Sequence, residues 1–194
     1  WSIDAQTTAT GVPRIFATSN PNIPINGAHD YIVDADVAVI DTGIDFDHPD
    51  LNVVHVINCN LSGPLEGTCS GAQDDGNGHG SHVAGIIGAL DNDFGVVGIA
   101  PGVRLWAVKV LTNQGYGTTA QIIAGIDYVA AHAADIEVAN MSLGGTGESL
   151  AMDLAISKAV ALGVTFTLAA GNSNINVSNY HPAGNPDAIT VSAL

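Results

Sequence analysis

The first clear pattern along the chain is a continuous apolar run. Val37-Ala38-Val39-Ile40, opened by Asp36 and closed by Asp41, shows no polar alternation, as expected of a strand covered on both faces. Val83, Ile86, Ile87 and Leu90 recur at helical spacing and predict a helix over 80–90. Residues 103–110 read as a strand and 118–133 as a helix, with Thr118 or Thr119 as its cap and Ile122, Ile123, Ile126 and Val129 on its inner side. A strand over 136–141, a helix over 149–162 closed by Gly163, and strands over 164–170 and 188–193 complete the series. Residues 1–30, rich in Pro, Asn and Thr, predict irregular structure. Strands alternating with helices predict an α/β fold: a mainly parallel central sheet with helices on both faces, in one domain spanning 1–194. Chemistry in such sheets gathers at the carboxyl ends of the strands. The run Val191-Ser192-Ala193-Leu194 has no turn after it and reads as an interrupted strand, so the fold is expected to be incomplete at this end.

Composition narrows the function classes. The 194 residues are 46% hydrophobic and 12% charged, too apolar for a disordered acidic chain. Four Lys and Arg against 19 Asp and Glu give a net charge of −15. So few cations argue against phosphate neutralisation, hence against nucleic-acid partners and polybasic membrane docking. No apolar stretch approaches the roughly 18 residues of a membrane span. The first residue is Trp1 rather than Met, which suggests a processed N-terminus. Cys59 and Cys69 flank a Gly- and Pro-containing segment and are expected to form a disulfide in an oxidising compartment. The alternative, a reactive or metal-bound thiol, lacks a nearby His cluster or a CxxC spacing.

Three segments at predicted strand ends carry candidate chemistry. Asp41 follows a buried run and precedes Thr42-Gly43, a place where a turn Asp is also ordinary. His79 sits among Gly76, Gly78 and Gly80 immediately before a helix, a fixed position that suits a general base. His82 follows three residues later, but no Glu lies between as in HExxH, which argues against zinc and leaves His82 a packed or hydrogen-bonded helix residue. Asn172 follows Ala169-Ala170-Gly171, where an amide is placed either to close a turn or to donate to a developing oxyanion.

Together VAVIDTGID (37–45), DGNGHGSHVAG (75–85), NMSLGG (140–145) and LAAGN (168–172) resemble the subtilisin-like serine proteases, the subtilases. The resemblance covers essentially the whole chain. It implies that Asp41 is the triad acid, His79 the general base and then general acid, and Asn172 the side-chain oxyanion donor. The family nucleophile lies in a motif like Gly-Thr-Ser-Met-Ala-x-Pro, which does not occur here, and none of the eleven serines has the required surroundings. The resemblance therefore implies a serine endopeptidase whose nucleophile lies after Leu194, on a complementary C-terminal chain left by a nick or on a segment lost by truncation. A non-catalytic peptide-binding fragment is the alternative. A Rossmann-like nucleotide binder fits the alternation of elements but lacks GxGxxG after the first strand.

The resemblance further implies that a polypeptide substrate lies as an added strand between Gly115-Tyr116-Gly117 and Ser142-Leu143-Gly144-Gly145. A primary pocket walled by 142–145 and by Ala169, Ala170 and Gly171 has small sides without fixed charge, which suggests a large apolar or aromatic substrate side chain. The segment Leu90-Asp91-Asn92-Asp93-Phe94-Gly95-Val96 resembles the family's calcium loop. It implies Ca2+ held by the side chains of Gln6, Asp50 and Asn92 and the carbonyls of Leu90, Phe94 and Val96, with Asp91 or Asp93 as alternative ligands. Secretion to the extracellular space is implied as well. Three Asn-x-Ser triplets, at Asn60, Asn140 and Asn176, are assigned no glycan.

Overall fold

A computed structural model describes residues 5–28, 30–174 and 176–192. Six strands form the main sheet: β1 (Asp36–Asp41), β2 (Val53–Asn58), β3 (Arg104–Lys109), β4 (Val138–Met141), β5 (Thr165–Ala169) and β6 (Ile189–Val191). Their order is β6-β5-β4-β1-β3-β2 and every neighbouring pair is parallel. Three helices accompany the sheet: α1 (His79–Gly88), α2 (Thr119–Ala131) and α3 (Leu150–Ala161).

The unbroken apolar run of β1 has its explanation in two cores. Val37 and Val39 pack with Leu105, Ala107 and Ala84 of α1 on one face. Ala38 and Ile40 pack with Val108, Ile126, Val129, Ile156, Phe166 and Leu168 on the other, under α2 and α3. Helices therefore lie on both faces, and the strands need apolar side chains in both directions. Helix α2 starts with a reciprocal cap: Thr118 Oγ1 accepts from the Gln121 N–H, and Gln121 Oε1 accepts from the Thr118 N–H. Gly125 lets this helix lie close to the sheet, since a Cβ there would stand 2.4 Å from Val110 Cγ1.

Two expectations change. The strand over 188–193 shortens to Ile189–Val191, with 193–194 outside the described residues. The first 30 residues are not wholly irregular: Thr7–Thr8 pairs in parallel with Val96–Val97, and Gly11–Arg14 forms one helical turn. Strand β2 was not expected from the pattern. It lies at a sheet edge with Val54 and His55 exposed, so its sequence lacks a buried run, and the His55 ring stacks on Trp106 of β3 at 4.7 Å. Just beyond β2, a disulfide joins Cys59 and Cys69.

Candidate active site

β1 lies in the interior of the sheet, between β3 and β4, and ends on Asp41, which is 0% exposed. Burial pushes the Asp41 pKa above the usual carboxylate value, while hydrogen bonds from His79 and Thr42 work in the opposite sense. Its Oδ1 accepts from the Thr42 N–H at 2.7 Å and lies 2.8 Å from His79 Nδ1. Asp41 Oδ2 is buried with no partner among the described residues. A carboxylate on Nδ1 holds the proton on that nitrogen and leaves Nε2 free to accept one.

The local sequence explains how the two side chains meet. His79 is the first residue of α1, and Gly78 before it takes φ +97°, a left-handed conformation that a side chain would disfavour. A Cβ on Gly80 would stand 2.0 Å from Gly43 O and 3.2 Å from Asp41 Cβ. Only a glycine lets the first turn of α1 rest on the end of β1.

Asp75, given no role from the sequence, ties this junction together. Its carboxylate accepts from Thr42 Oγ1 (2.9 Å), Ser81 Oγ (2.6 Å) and the N–H groups of Ser81, Asn77 and Gly78. Thr42 Oγ1 in turn accepts from the Gly80 N–H. Burial acts to raise the Asp75 pKa, but these donors outweigh it and hold it down at about 2.

His79, half exposed, opens onto a cleft of about 390 Å3. Gly115, Tyr116, Gly117, Ser142, Leu143, Gly144 and Gly145 all line this cleft, together with the apolar side chains of Leu111, Ile122 and Met152. The remaining predicted residues, Ala169, Ala170, Gly171 and the exposed Asn172, follow at the end of β5 and are not part of that lining. They connect to it through Tyr180, which sequence reasoning passed over. The same ring edge of Tyr180 fills the place of a Cβ at Gly144 (2.5 Å) and at Gly171 (2.7 Å). His181, also unforeseen, lines the cleft beside Pro182. His82 is exposed rather than packed or hydrogen-bonded, and lines a second, mostly apolar pocket with Ile86 and Ile99.

The candidate calcium residues also converge. Asp50, 2% exposed, accepts from Asn92 Nδ2 at 2.7 Å on one oxygen and from the Val96 N–H at 3.2 Å on the other. Gln6 Nε2 donates to Leu90 O at 2.9 Å, and the Phe94 N–H donates to Asn92 Oδ1. Burial pushes the Asp50 pKa up, against the contacts from Asn92 and Val96. Asp91 is occupied elsewhere, since both its oxygens accept N–H groups, from Asn26 and Gly27. Among the described residues no group of three or more His, Cys, Asp or Glu is placed to hold a metal ion. This set instead offers one carboxylate with amide and carbonyl oxygens, a hard-oxygen donor set that suits Ca2+.

Asp75 carries a prediction with a definite sign. Its folded-state pKa lies below the usual 3.8, so its stabilising contribution is complete above that value and is lost as pH falls toward about 2. Asp75→Asn is expected to lower unfolding stability at neutral pH by about 1–3 kcal/mol. In urea unfolding followed across acid pH, the gap between variant and parent should close toward pH 2; a gap independent of pH refutes the role.

Comparison with known proteins matches these residues to one family. A sequence model described as the Subtilase family matches residues 34–194. Subtilisin DY of Bacillus licheniformis is 42% identical over 193 residues, which cover 98% of this chain and 65% of that protein. Subtilisin E of Bacillus subtilis (strain 168) is 38% identical over 193 residues, 98% of this chain and 47% of that protein. Alkaline serine exoprotease A of Vibrio alginolyticus is 51% identical over 117 residues, 60% of this chain and 21% of that protein. The chain spans less than two thirds of the length of these three relatives. With the Asp41–His79 pair and its cleft inside the matched region, the chain belongs to the subtilase family.

Proposed function

We propose that this chain supplies the acid, the base and most of the substrate groove of a serine endopeptidase that hydrolyses polypeptides. The observation that carries the reading is the 2.8 Å contact between fully buried Asp41 and His79 at the mouth of a glycine-walled cleft. In this reading His79 Nε2 takes the proton of a serine hydroxyl as the oxygen attacks the scissile carbonyl, and returns it to the leaving amine. Asp41 holds the imidazole in the required tautomer and stabilises its charged form. Asn172 donates to the oxyanion of the tetrahedral intermediate. The peptide backbone lies between 115–117 and 142–145. The nucleophile is none of the serines here and is supplied by a complementary C-terminal chain or segment. The glycine-walled cleft also suits a second reading, peptide binding without catalysis.

We further propose a structural Ca2+ held by Gln6, Asp50 and Asn92 side chains with the Leu90, Phe94 and Val96 carbonyls. The contacts of Gln6 with Leu90 and of Asn92 with Asp50 support it. The ion would neutralise buried Asp50 and fasten the N-terminal segment to the loop after α1. The Cys59–Cys69 disulfide supports an oxidising, extracellular destination, and no helix among the described residues is long and apolar enough to cross a membrane.

Three measurements test these readings. A serine-directed phosphonate should label a polypeptide carrying residues beyond this chain; peptide binding without any labelling supports the second reading instead. Asp41→Asn should leave unfolding largely unchanged and lower kcat by about 10^4-fold, because a triad whose imidazole holds the wrong tautomer loses its base; normal turnover refutes the assignment. Excess EDTA should lower the thermal midpoint, and an unchanged midpoint removes the calcium site.

A further inference from the structure

Lys109 is 1% exposed, one of the largest side chains buried in the protein. It ends β3, directly beside Asp41 in the parallel register of β1 and β3. Its Nζ donates to the Thr42 carbonyl and to Asn113 Oδ1 at 3.0 Å. Asn113 in turn abuts the His79 loop: its main-chain carbonyl accepts from Asn77 Nδ2 at 2.8 Å, and its side chain stands where a Cβ on Gly76 would fall, 2.2 Å from Nδ2. One ammonium thus touches the turn after Asp41 and the segment that leads into Gly115–Gly117, and that segment touches the loop carrying His79.

Building on the peptidase reading, we propose that Lys109 is a positioning residue: it locks the Asp41 turn, the His79 loop and the peptide-binding segment in register. Burial lowers the Lys109 pKa from its ordinary value, and Asp75, Asp41 and Asp74 oppose that shift.

The test is peptide hydrolysis by the full-length protein, with kcat and KM measured separately. Lys109→Met should lower kcat by about tenfold or more. A buried substitution can damage folding, so Asn113→Ala on the exposed loop removes only the link between the ammonium and the peptide-binding segment. It should raise KM by about threefold or more and leave the thermal midpoint in place. If Asn113→Ala leaves KM unchanged in an active enzyme, the positioning role is overturned. A wild type that hydrolyses no peptide overturns the peptidase reading itself, and this role with it.

Discussion

A carboxylate with no exposure to water is the constraint around which the site is arranged. Removing an ion from water costs several kcal/mol unless close partners replace the lost hydration. Asp41 has few such partners, and one oxygen carries both of those observed. His79 must therefore stand at one distance and one angle, and every neighbouring choice follows from that. Helix α1 has to begin at His79. Gly80 has to lack a side chain so that the helix can reach Gly43, and Gly78 has to adopt a left-handed turn so that the loop can enter. Asp75 then gathers the loop's own donors, which would otherwise point at nothing. A substitution at any of these positions reaches the proposed chemistry through the Asp41–His79 distance.

The sheet makes so buried a carboxylate possible. β1 is flanked on both edges by strands and on both faces by helices, and it ends where the chain's connections part toward opposite sides. Such a strand has to be apolar throughout, and a polar group at its tip meets little solvent. The same arrangement explains the low charged fraction. Six strands and three helices consume the apolar residues, and carboxylates such as Asp74, Asp75 and Asp93 fall in the loops on either side of α1. Lys109 is a buried cation on which three of the carboxylates, Asp41, Asp74 and Asp75, act.

Legibility from the sequence followed how local each constraint is. β1, β3, α2 and α3 announce themselves because each buries a stretch with its own period, and the Thr118 cap lies within three residues of its partner. Asp41 and His79 were legible as members of motifs in a recognisable order, although nothing in either segment alone states that they touch. β2 was missed because an edge strand has only one side to bury, and His55 interrupts its pattern while finding its stacking partner on another strand. Asp75, Lys109 and Asn113 were missed for a related reason. Their roles exist only across elements, between residues 33 to 67 positions apart for the Asp75–Thr42 and Lys109–Thr42 contacts. A lone Lys at the end of a strand reads as a solvated terminus until the fold closes over it.

The cleft shows why wall composition alone is a poor guide to what it accepts. Small residues at 142–145 and 169–171 suggest empty volume for a large substrate side chain. Two of those glycines, Gly144 and Gly171, instead make room for a residue of the protein itself, since the edge of the Tyr180 ring lies where their Cβ atoms would be. A small wall residue means either space for a ligand or space already taken by a neighbour, and only the packing tells them apart. The ring also braces the segment that lines the cleft against the strand end that carries Asn172. The space left beside Gly144 is therefore set by where Tyr180 rests, and Tyr180 is held in turn by its antiparallel pairing with Thr146. The shape of such a groove depends on the residue standing behind its walls as well as on the residues that line it.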